Sequence, residues 1–275
     1  MSETRGADAL ERIAAALERL APAPPAPTDW LGAPAYVWEG VAARAVPVLD
    51  ALPLDGLYGI EAQKVGLRNL CARLASGAAA HDALLWGARG MGKSALVRAC
   101  VADVRREIPG ALALVQLAPG TLPTFPALIA ELTEVGRAFL LFIDDLGFGA
   151  EARAEMLALR SLLEGGIAPR PAHIRLVVTA NRRGIVERQD TSGAIHERDE
   201  RDDALALADR FGLSLGFHPA DKETYLAIVE GYTAPLGLAF DPEEAMAFAI
   251  QRGNRSGRTA LQFATELAGR AGMRL

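Results

Sequence analysis

Residues 87–94 read Gly87-Ala88-Arg89-Gly90-Met91-Gly92-Lys93-Ser94 and match the pattern G-x-x-x-x-G-K-[ST]. A phosphate cradle needs those residue types at that spacing. Glycines let the backbone wrap around a polyphosphate and aim successive N–H groups at its oxygens. Lys93 is placed to reach the β- and γ-phosphates, and Ser94 to hold Mg2+. Just upstream, Ala83-Leu84-Leu85-Trp86 reads as a buried strand. Just downstream, Ser94 to Cys100 reads as a helix whose positive end faces the anion. A chance glycine-rich turn is the competing reading, and the strand and helix on its flanks stand against it.

Outward from the loop, apolar runs and helical patterns alternate. Strands are expected at 83–86, 112–117, 138–143, 174–179 and 213–217. Helices fit between them at 93–107, 123–135, 150–165 and 201–209. That order predicts an α/β fold with a parallel sheet sandwiched by helices. Residues 36–79 look helical with interruptions, and the densely charged 187–203 reads as an exposed loop or insertion. Beyond Pro219 the strands stop. Asp221–Thr233, Asp241–Gln251 and Thr259–Met273 read as a small helical lid. At the other end, Leu10, Ile13, Ala14, Leu17 and Leu20 form one helical stripe, followed by a stiff proline-rich linker at 21–29. Three units are therefore expected: an N-terminal helix with its linker at 1–30, an α/β nucleotide-binding domain at 31–218 and a lid at 219–275.

Four further segments carry chemistry. Phe139 to Asp145 is a hydrophobic strand ending in two carboxylates. Asp144 suits Mg2+ through its water shell, and Asp145 suits orienting or activating a water. A strand Val177–Val178–Thr179–Ala180 ends in Asn181, whose amide could sit beside Asp144, although a lone Asn at a strand end is commonly a turn residue. Arg210, at a helix end just before a strand, could project into a neighbouring subunit and stabilise charge on a phosphoryl group there. A weak surface pair with Asp209 is the alternative. Arg258 opens the last helix and could reach a γ-phosphate from the lid.

Taken in order, GARGMGKS, FLLFIDD, TANRR, ADRFG and SGRTA resemble the Walker A, Walker B, sensor 1, arginine-finger and sensor 2 segments of the AAA+ ATPase superfamily. Within it, the chain looks most like a bacterial family of predicted ATPases known chiefly as a domain of unknown function. The resemblance implies ATP and Mg2+ as ligands, a homo-oligomer with Arg210 acting in trans, and a macromolecular client. It also places Tyr58, Gly59 and Ile60 where AAA+ proteins contact adenine; hydrophobic packing of the N-terminal helices is the other reading of these three. Many AAA+ enzymes carry Asp-Glu where this chain has Asp144-Asp145. The shorter side chain reaches less far, which leaves a slow nucleotide-gated switch beside the remodelling ATPase.

The bulk numbers set limits. The chain has 275 residues, enough for one α/β core and a small attachment. A formal net charge of -5 does not favour a large basic surface, so a DNA-handling role like that of replication initiators or helicase loaders is the weaker alternative. For that role the candidate basic cluster is Arg182, Arg183 and Arg188. Cys71 and Cys100 stand apart and read as buried thiols of a reducing compartment. The four histidines lack metal-ligand spacing. The first twenty residues carry charges where a signal peptide needs an apolar run, and no bilayer span is evident. A cytoplasmic protein is expected.

Overall fold

The computed structural model describes residues 12, 27–146, 159–160, 162–163, 170–181 and 208–273. Its centre is a seven-stranded sheet. In chain order the strands are β1 (Ala35–Trp38), β2 (Ala43–Val46), β3 (Ala83–Gly87), β4 (Leu112–Leu117), β5 (Ala138–Leu146), β6 (Ile174–Ala180) and β7 (Leu213–Phe217). They lie side by side as β2-β1-β4-β5-β6-β3-β7. All neighbouring pairs run parallel except β1 with β2.

The central strands are continuous apolar runs because both faces are covered. Alternate residues serve the two faces: Leu112 and Leu114 of β4 enter one core, while Ala113 and Val115 enter the other. Helices α1 (Glu61–Ala75) and α2 (Lys93–Glu107) pack on the first face, and α3 (Phe125–Thr133) on the second. Both cysteines lie in the first core as free thiols, and burial pushes the Cys71 thiol up to about 12. These are inert packing residues, as expected.

β1 and β2 correct the expectation of interrupted helix over 36–79. Apart from a 3-10 turn at Leu54–Gly56, helix begins only at Glu61. Before it, Ala35-Tyr36-Val37-Trp38 extends the sheet as a buried parallel partner of β4. Trp38 is fully buried, and its Nε1 donates to Thr124 Oγ1 at 2.8 Å. Four residues are too few to show a period, and the alanines around them mimic helix. Only pairing with β4 reveals the strand.

Three helices follow the sheet: α4 (Lys222–Thr233), α5 (Pro242–Gln251) and α6 (Gly257–Arg270). Asp221, Asp241 and Ser256 cap them, each side chain accepting from a first-turn backbone N–H. Phe263 of α6 is buried between Phe240 and Phe248, with ring centroids 6.3 and 5.4 Å away. Tyr225, Ile228 and Val229 of α4 belong to the same core as α1 and α2, so the lid is packed onto the sheet domain. No described helix is long and apolar enough to cross a membrane. Leu159, Arg160, Leu162 and Leu163 are helical, as expected for 150–165. The N-terminal stripe, the 187–203 loop and the Arg182, Arg183, Arg188 cluster lie outside the described residues.

Candidate nucleotide site

The P-loop joins β3 to α2 at the carboxyl ends of the strands. Gly87 has φ 125° and lies against β7, where an added Cβ would overlap Phe217 O. That closeness lets Ala88 N–H donate to Phe217 O at 2.8 Å and pins the start of the loop. Gly92 precedes α2 with φ 89° and gives the helix no side-chain cap. The first-turn N–H groups therefore keep their capacity for an anion.

Beneath the loop, Lys93 is 6% exposed, and its Nζ donates to Gly87 O at 3.0 Å and Ala88 O at 2.8 Å. Burial lowers its pKa to about 8, against a partial opposing pull from Asp145 and Asp144. A triphosphate would meet an ammonium held in readiness by backbone carbonyls.

The opposite wall comes from β5 and β6. Ser94 Oγ donates to Asp144 Oδ1 at 2.6 Å, and Thr179 Oγ1 donates to the same oxygen at 2.6 Å. Asn181 Nδ2 donates to Asp145 Oδ1, and Arg89 Nη2 lies 3.9 Å from Asp145 Oδ2. The β5–β6 register jumps from Ile143↔Val178 to Leu146↔Ala180, a bulge that contains both aspartates. Asp145 adopts φ 57°, a left-handed conformation that Asp and Asn tolerate better than longer side chains. The bulge thus supplies a backbone reason for Asp at this position.

The lid closes the cleft. Arg258 N–H donates to Gly90 O at 3.1 Å, so α6 begins directly on the crest of the P-loop. Gly90 has φ 76°, and an added Cβ would press on Ser256 and Arg258. The cleft, about 510 Å³, is lined by Arg89 to Ala95, Arg98, Asp144, Asp145, Thr179, Asn181, Gly257 and Arg258. Its apolar end is formed by Leu52, Leu57, Tyr58, Ile60, Ile228, Tyr232 and Leu261.

Most of the expected site residues therefore converge. Tyr58 and Ile60 line the apolar end, while Gly59 between them turns with φ 74° against Thr224 of α4. Arg210 stands apart: it precedes β7, whose far end at Phe217 holds the P-loop, so about 20 Å of chain separates them. Sequence reasoning missed Thr179, Arg98 and the lid residues Ile228 and Tyr232. Thr179 had a signal, because strand period puts it on the same side of β6 as Asn181. The lid residues had none, since only tertiary packing brings α4 to the cleft.

A mostly parallel sheet with this strand order, a P-loop after β3 and a helical lid over it define the AAA+ P-loop fold. Solved structures agree. The chain is similar to the Holliday junction branch migration motor RuvB of Thermotoga maritima, at 19% identity and TM-score 0.51 over 82% of this chain and 68% of that one. It is similar to the ORC1 protein of Aeropyrum pernix, solved in complex with DNA, at 16% identity and TM-score 0.54 over 81% and 62%. It also resembles the FIGL-1 AAA domain, solved with ADP, at 17% identity and TM-score 0.50 over 80% and 74%. Among curated proteins, none matches the sequence. The chain belongs to the family described as Protein of unknown function (DUF815), whose model matches residues 32–271.

Proposed function

We propose that this protein is a Mg2+-dependent ATPase that couples ATP binding and hydrolysis to remodelling or loading of a macromolecular partner. One observation carries the reading: a single cleft gathers Lys93, Ser94, Asp144, Asp145, Asn181 and Arg258 from the P-loop, two strand ends and the lid. In this reading residues 31–218 form the nucleotide-binding domain and 219–275 the lid, with 1–30 an appendage.

The donor set fits Mg2+. Ser94 Oγ and Asp144 Oδ1 are hard oxygen ligands 2.6 Å apart, and one carboxylate with one hydroxyl leaves room for phosphate oxygens and water. Mg2+ bound there would neutralise charge on the phosphates. Lys93 would exchange its two carbonyl partners for the β- and γ-phosphates. The P-loop N–H groups and the start of α2 would hold the remaining phosphate oxygens. Asp145, steadied by Asn181, would orient the attacking water and accept its proton. Arg258 would bind the γ-phosphate, and its backbone bond to Gly90 would tie the lid to nucleotide state. Tyr58, Ile60, Ile228 and Tyr232 would enclose the base. Arg210 would act on the site of a second copy, which makes the active form an oligomer.

Phosphate release from ATP by the full-length chain, with Mg2+, tests the reading. Arg210→Ala is expected to abolish turnover and leave ATP binding intact. Normal hydrolysis by an isolated Arg210→Ala monomer would overturn the role in trans.

A second reading, a slow ATP/ADP switch, is favoured by Asp145, whose short side chain is engaged by Asn181. Turnover clearly above about one per minute would count against it. RuvB and ORC1 lend a DNA-handling role some support, and the chain's net charge of -5 lends it none. Salt-dependent DNA affinity would be its signature.

A further inference from the structure

Thr179 is 1% exposed, the most enclosed polar side chain of the cleft, and no motif gives it a task. It lies opposite the bulge, where β5 places Asp144 and Asp145 between the pairs Ile143↔Val178 and Leu146↔Ala180. An extra residue in one strand breaks the ladder locally and leaves a backbone donor without its regular partner. Here Asp145 N–H is that donor, and it finds Thr179 Oγ1 at 2.8 Å. The hydroxyl has a single proton, which goes to Asp144 Oδ1 at 2.6 Å. The direction is set at both ends, because an amide only donates and a carboxylate only accepts.

We propose that Thr179 is the positioning residue of the metal site: its hydroxyl pins both shoulders of the bulge, aiming Asp144 at the metal and Asp145 at the water. This rests on the Mg2+–ATP reading of the cleft. Ser94 donates to the same Asp144 oxygen but would have to turn from it to ligate Mg2+. Thr179 then remains as the group that keeps Asp144 in place. The left-handed backbone of Asp145, at φ 57°, is held by the same hydroxyl. One buried oxygen therefore orders two carboxylates that point to different tasks.

The test titrates the full-length chain with a fluorescent ribose-labelled ATP analogue, once in EDTA and once across a Mg2+ series. Thr179→Val removes the hydroxyl at nearly constant volume. It is expected to leave the EDTA affinity within about threefold of the parent and to raise half-saturating Mg2+ about tenfold or more, as loss of groups that orient metal ligands does. Thr179→Ser, which keeps the hydroxyl, is expected to restore Mg2+ dependence. Parental Mg2+ dependence in Thr179→Val would overturn the proposal, as would equal losses with and without Mg2+. If Thr179→Val does not fold, Thr179→Ala takes its place. If neither folds while Thr179→Ser does, the hydroxyl serves folding and the positioning role is overturned. A parent chain that binds no nucleotide in either condition removes the ATP reading and this proposal together; a defect or its absence in the variants alone bears only on Thr179.

Discussion

The P-loop between β3 and α2 faces the Asp144–Asp145 bulge between β5 and β6 across one cleft, and the two walls are shaped by different means. On the P-loop side the main chain does the work. Glycines at φ 125°, 76° and 89° fold the loop, and carbonyls of Gly87 and Ala88 hold Lys93. On the other side the backbone is a disturbed sheet, and side chains restore order: Thr179 to Asp144 and Asn181 to Asp145. The contrast separates two tasks. In the proposed reading, grip on phosphates would be built into a contiguous stretch, whereas placement of metal and water would depend on register between strands far apart in sequence.

Substitutions can break that division. The largest expected effect is on the P-loop side. Lys93→Ala would remove the proposed charge-assisted contact to phosphate and should weaken ATP binding about 100-fold, with or without Mg2+, in a calorimetric titration. A loss confined to Mg2+ would mean that the two walls do not divide the work as described.

A milder perturbation of the same wall is pH. Burial holds the unliganded Lys93 near a pKa of about 8, below the ordinary lysine value, and a bound triphosphate would raise it. Below about 8 the ammonium is already present, so affinity is flat there. Above it, binding must take up a proton, and affinity should fall by up to about tenfold per pH unit. Measurement of Kd from pH 7 to about 9.5 checks the sign. Affinity rising with pH would show that Lys93 does not face the phosphates.

The smallest effect is expected on the bulge. Asp145→Ala places a β-carbon without a polar partner in the left-handed region and should cost about 1 kcal/mol, lowering Tm by roughly 2–4 °C. Asp145→Asn should leave Tm nearly unchanged, because Asn tolerates that region. Equal Tm values for the two variants would remove the backbone explanation for Asp at this position.

The same contrast explains what was legible in the sequence. GARGMGKS with its strand and helix is local, and the five parallel strands β3 to β7 announce themselves as apolar runs. Asn181 and Arg258 could be placed because each lies at the end or start of an element, and Asp144 because the apolar run of β5 stops just before it. β1 and β2 were hidden, since four-residue strands among alanines look helical until β4 is set beside them. Thr179 lies just before Asn181 in the sequence, but its bonds to Asp144 and Asp145 form only where β6 meets the bulge. Ile228 and Tyr232 reach the cleft by lid packing, which no local pattern encodes.

In the proposed reading one wall grips nucleotide and the other makes that grip depend on Mg2+. Calorimetric titration of ATP into the parent chain and Asp144→Asn, each with EDTA and with Mg2+, tests it most directly. The expected result is ATP binding by both proteins in EDTA, tightened by Mg2+ in the parent alone. ATP binding that ignores Mg2+ in the parent, or is lost equally in both conditions in Asp144→Asn, would contradict it.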